Sequence, residues 1–156
     1  MMAGVQHLQN VHPLVIHFPI AFLMGAALCY VFAWVVRKDH FAMTGFSLLL
    51  LGALSLAAAV ATGLYAAQGV MLHWSVRSHL LEPHRQLMLL TSGFCAVLTL
   101  WAVLDRPFPR RGRGFFMMLL FIMLGVMTLG ADFGGRMVYD YNAGGSACPQ
   151  PIKFTQ

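Results

Sequence analysis

The chain has 156 residues, of which 59% are hydrophobic and only 10% charged, and its mean hydropathy is +0.72. Soluble domains carry about 25% charged residues, so this composition excludes a soluble globular domain. The net charge of +5 does not denote a nucleic-acid partner, because the basic residues collect in short loops and form no binding stripe.

Four apolar stretches, at 14–36, 43–68, 84–104 and 115–138, are long enough to cross a bilayer, which takes about 20 residues as a helix. They predict an all-α integral membrane protein, with residues 1–156 forming one up-down-up-down four-helix bundle. The start, "MMAGVQHLQN", lacks a basic run, and no A-x-A-like site ends the first stretch, so the first helix is expected to act as its own insertion signal. That helix opens with "HPLVIHFPIAF": Pro13 suits a first helical turn, and His12 falls near the N-cap. Pro19 removes the hydrogen bond to Val15 and is expected to bend the helix beside His17.

The short turns at 37–42 and 105–114 force antiparallel neighbours. They carry Arg37, Lys38, Arg106, Arg110, Arg111 and Arg113. The positive-inside rule makes that side cytoplasmic. Both termini then face outward, into the periplasm of a bacterial inner membrane. The 69–83 segment reads as an outer loop holding a short interfacial helix around Trp74, and 139–156 as an outer tail. Cys29 and Cys95 fall within helices as small apolar residues, and Cys148 stands alone in the tail. No C-x-x-C-H occurs, which excludes covalently attached c-type haem.

Seven histidines are many for such a chain, and His12, His17, His73, His79 and His84 all belong to the outer side. A polar residue within a bilayer is costly and by default a functional hypothesis. His17 lies one turn into the first helix and His84 in the first turn of the third. In a bundle with axes about 8–10 Å apart, helices one and three are diagonal partners at similar depth. Two imidazoles placed so suit the axial positions of a haem iron, and bundles hold cofactors between facing helices. The expected cofactor is haem b, one or two copies near the outer face, with His17 and His84 as metal ligands. Arg85 and Arg136 stand at the outer helix ends, where propionates need cations.

Alternatives stay open at each position. His12 and His17 are five apart, about 140° around a helix, so both cannot face one metal without a kink. His12 therefore reads as a supporting residue, a cap or a ligand in its own right. His73 or His79 is a substitute for His84 or a ligand to a second haem, and any of the five equally suits a plain interfacial role. No H-E-x-x-H spacing supports zinc. Asp132 is expected to pair with Arg136 at i,i+4, and Glu82 to complement the N-terminus of the third helix.

"VHPLVIHFPIAF", "TGLYAAQG", "PHRQLMLLTSGF" and "LGADFGGRMVYDY" together resemble a bacterial family of four-helix membrane proteins of unknown function. The resemblance covers nearly the whole chain. It implies weight on His12 and His17 in the first element, His84 in the third, and Gly134, Gly135 and Tyr139 in the last. Related domains are fused to Rieske iron–sulfur or cytochrome c domains, which implies a redox setting outside the cytoplasm.

The function expected from all this is a cytochrome b-like subunit, passing electrons between a periplasmic redox protein and the quinone pool. It would be a non-catalytic part of an oxidoreductase complex. The alternative is a haem-free anchor for other subunits of a larger membrane complex.

Overall fold

The computed structural model describes residues 11–69, 73–105, 107–141 and 143. His7, Arg106, Cys148 and the 144–156 part of the tail lie outside them. The described residues form helices α1 (His12–Val15), α2 (His17–Val36), α3 (Asp39–Gly69), α4 (Trp74–Val76), α5 (Glu82–Leu104) and α6 (Arg113–Tyr139), with no strand among them. A π-turn, Arg77–Leu81, joins α4 to α5.

Four segments are long and apolar enough to cross a membrane: His12–Val36, Asp39–Gln68, Trp74–Leu104 and Arg113–Tyr139. The third begins earlier than expected. Most of the segment read as an outer loop is helical and continuous with the third span, because Trp74–Leu81 offers apolar side chains on one face. Val76 and Leu80 bury against Met137 and Phe133 of α6, so packing holds in helix what composition alone leaves as a loop.

Each span packs through a stripe of buried residues spaced alternately three and four apart. In the first span the stripe is Pro19, Leu23, Ala26, Tyr30 and Ala33, and in α6 it includes Phe116, Leu120, Met123, Met127, Gly130 and Met137. Such a 3.5-residue period is that of helices crossing at shallow angles in a left-handed bundle. Spans one and two pack as one hairpin and three and four as another. Contacts between the hairpins, span two on three and one on four, are fewer, and spans one and three stand diagonally.

Small residues set the closeness of the first hairpin. A β-carbon at Gly52 would fall 2.5 Å from Leu23 Cδ2, and one at Gly45 only 3.3 Å from the Ala26 carbonyl oxygen. With lipid no less apolar than leucine, such close backbone approach is what drives spans together.

The basic end of the bundle is closed by Tyr30, fully buried, whose hydroxyl donates to the Pro107 carbonyl at 3.1 Å. Its ring packs on Phe108 and Phe116, with centroids 4.9 and 5.3 Å away. This cluster ties Pro107 and Phe108 to the first span, at the end away from the groove that His12 and His84 line.

A paired-histidine groove

At the groove end the helix of the first span breaks. The turn at Ile16 separates α1 from α2. Pro19 is the cause: it has no N–H to offer the Val15 carbonyl, and its ring crowds that oxygen. The break leaves His12 on the backward extension of the buried stripe, seven residues before Pro19.

The His12 ring meets the second span. Thr62 Oγ1 donates to the Ala58 and Ala59 carbonyls at 3.0 Å each, so its lone pairs accept from His12 Nδ1–H at 3.1 Å. The same ring also meets the Ala59 carbonyl. One helical turn on from Ala59 stands Gly63, where a β-carbon would be 2.8 Å from His12 Cε1. The missing side chain is what lets an imidazole lie there.

His84 repeats this arrangement in the second hairpin. Its Nδ1–H donates to the Gly130 carbonyl at 2.7 Å. Gly134, one turn on, leaves room for the ring, since a β-carbon there would be 3.0 Å from His84 Cε1. In both hairpins an imidazole near the start of the first helix sits over a carbonyl of the second, exposed by a glycine four residues later. The separations are alike, 51 residues from His12 to Gly63 and 50 from His84 to Gly134.

The two rings meet edge to face across the bundle diagonal, with centroids 6.4 Å apart and planes at 77°. In both, the Nδ1 hydrogen bond fixes the proton there, so the lone pair is on Nε2. They line an apolar groove with Ile20, Leu56, Val60, Met88, Met127 and Met137 among its walls. Arg85 stands on the rim; its ion pair with Glu82 spans 3.7 Å and both partners are about half exposed. Leu64, Leu89 and Val138 line the groove while remaining 42%, 45% and 38% exposed, so its edge reaches the lipid-facing surface.

The other candidates are placed elsewhere. His17 is exposed, off the buried stripe, and its Nδ1 lies 3.4 Å from the Leu14 carbonyl oxygen. The diagonal pair in the structure is therefore His12 with His84, and not His17 with His84. Ala21, one turn on from His17, is exposed with it, and a β-carbon at Gly25 would meet Leu48. His73 caps α4 through Ser75, with Nδ1 at 2.9 Å from Ser75 Oγ. His79 is exposed on the π-turn. Neither lines the groove. Arg136 pairs with Asp140, the C-cap of α6, at 3.9 Å and not with Asp132.

Thr62, Gly63 and Gly130 lie within the "TGLYAAQG" and "LGADFGGRMVYDY" elements, but the sequence gives them no role as partners of a histidine. The matched histidine-to-glycine spacing was their one available signal. Among the described residues, no three His, Cys, Asp or Glu side chains gather as a metal-binding group.

The fold and groove define a four-span helical membrane protein with two imidazoles opposed across its core. The chain belongs to the family described as predicted membrane protein DUF2231, whose model matches residues 8–147 and so takes in both histidines and both glycines. No curated protein and no solved structure matches it.

Proposed function

We propose that the groove holds haem b between His12 and His84, and that the chain is a cytochrome b-like electron-transfer subunit. The observation that carries this reading is the opposed pair of rings. With centroids 6.4 Å apart, His12 and His84 stand close enough that both would hold one iron through Nε2.

The donor set supports haem over a bare ion. A closed zinc site takes four protein ligands and a catalytic one three, whereas a haem iron takes two axial imidazoles and draws its other four nitrogens from the porphyrin. The apolar walls suit a macrocycle, and Arg85 on the rim suits a propionate. Each ligand's Nδ1–H is held by a hydrogen-bond acceptor, the outer contact that orients a ligating imidazole and raises its basicity.

Haem, when bound, supplies one-electron redox chemistry. The protein's own residues do the rest. Thr62 and the Gly130 carbonyl aim the two Nε2 lone pairs, Gly63 and Gly134 give the rings their seats, and the apolar walls exclude water. The groove edge beside Leu64, Leu89 and Val138 opens toward lipid, where a quinone would exchange electrons. With the Arg37, Lys38 and Arg110–Arg113 end cytoplasmic by the positive-inside rule, the histidine end faces the periplasm of a bacterial inner membrane and a redox protein there.

The test is a reduced-minus-oxidised absorbance spectrum with a pyridine haemochrome assay on protein purified in mild detergent. Wild type shows a b-type spectrum that His12→Ala and His84→Ala each abolish and His17→Ala retains. Clean wild-type protein without haem, expressed with ample haem and its native neighbours, sinks this reading and leaves the anchor-subunit alternative.

A further inference from the structure

At the end opposite the histidines, a second cleft lies between the first two spans and the turn that holds Pro107, Phe108 and Arg110. Arg37, Lys38, Arg110 and Arg113 all line it, against one carboxylate, Asp39. Among the described residues, none of these four cations is in an ion pair. Asp105 does not neutralise them through side chains either: its Oδ2 accepts the Arg110 backbone N–H at 2.8 Å.

The cleft is built, and not a chance gathering of loose side chains. Arg113 is held by Nε–H donating to the Pro109 carbonyl at 3.0 Å and by its guanidinium lying 5.1 Å above the Phe108 ring. Arg37 caps α2 in the left-handed conformation at φ 57°, where glycine is the usual residue. The remaining walls, including Ala33, Ala42, Met43 and Phe108, are apolar. Arg37 and Arg113 terminate spans, so the cations stand at headgroup level and the apolar walls below them at acyl-chain level.

We infer that this cleft binds the phosphodiester headgroup of an anionic phospholipid, with Arg37, Lys38, Arg110 and Arg113 as its cationic lining. A concentrated, uncompensated positive cleft between span ends is the arrangement by which membrane proteins take anionic headgroups. An inorganic phosphate offers the same oxygens without the chains. The apolar walls continuing from the cations are what favour the lipid.

The experiment measures thermal unfolding and lipid retention by native mass spectrometry on the full chain in detergent. The additives are phosphatidylglycerol, phosphatidylcholine or inorganic phosphate. Phosphatidylglycerol is expected to raise the melting temperature saturably and to be retained, the other two not. Arg37→Gln with Arg110→Gln is expected to weaken retention by at least about fivefold per charge removed. Arg77→Gln, which removes one charge at the opposite end, leaves it intact, and Lys38→Gln, which also removes one, serves as its match and as the test if the double variant fails to fold. Equal protection by phosphatidylcholine, saturation by inorganic phosphate alone, or equal losses in Arg77→Gln would each overturn the proposal.

Discussion

The His84 ring lies against the backbone of Gly134, so close that a β-carbon at 134 would stand 3.0 Å from Cε1. The equivalent distance between Gly63 and His12 is shorter, 2.8 Å. An imidazole can yield a few tenths of an ångström before its ligand nitrogen leaves its proper position, and little more. Gly63→Ala is therefore expected to lose more haem than Gly134→Ala, and Gly134→Val to lose as much as Gly63→Ala. Haem-to-protein ratios of the three purified variants check the order. Equal occupancy in all of them would show that the rings are not seated as ligands.

Thr62 acts on His12 through one hydroxyl. Thr62→Val removes the acceptor and keeps the volume, while Thr62→Ser keeps the acceptor. The valine variant is expected to bind haem about 10–100-fold more weakly, as loss of an outer-shell partner does. The serine variant should resemble wild type. A haem titration of apoprotein distinguishes them, and a shift in the low-temperature spectrum of the reduced form accompanies the loss.

His17 and His79 serve as internal controls because they share the histidine end without lining the groove. Replacing either by alanine is expected to leave both the haem content and the absorbance maxima unchanged. A loss in His17→Ala as complete as that in His12→Ala would mean that the first span rotates on binding by most of the 140° or so between these positions.

Tyr30→Phe removes the hydroxyl that donates to Pro107. It leaves a part-buried carbonyl without that partner, at a cost of about 1 kcal/mol. Thermal unfolding should report a lower midpoint, with the groove's spectrum and haem content intact. The two ends of the bundle are far enough apart in the contact network for their effects to add.

Four spans, all-helical, were legible in the sequence because hydropathy over about 20 residues is a strong signal. Which histidine of the first span faces inward was not. A membrane helix is apolar on every side, so residues that meet lipid, such as Leu28 and Val35, look the same as those that meet protein, such as Leu23. The choice between His12 and His17 depended on a helix phase that composition does not carry. Pro19 was read as a bend beside His17, and the break at Ile16 is that bend; its effect is to carry His12 into line. The pairing of Arg136 was missed for a related reason. Asp132 and Asp140 are both four residues away, and spacing alone does not choose between them. The 51- and 50-residue separations were present in the sequence throughout, but have no meaning until each glycine is seen beneath its ring.

The seam between the two hairpins gives the groove a mechanical consequence. Each hairpin is well packed within itself and only lightly packed on the other, and each contributes one imidazole. A group ligated by both rings would act as a rivet through that seam. Whatever binds the closed arrangement and not the parted one stabilises it by RT ln(1 + [L]/Kd), about 4 kcal/mol at a thousandfold excess over Kd. If haem is that rivet, its removal would let the halves part at the histidine end while the Tyr30 cluster held them at the other, in the manner of a clothes-peg. Accessibility of a cysteine introduced at Ala131 to a thiol reagent would follow that opening directly.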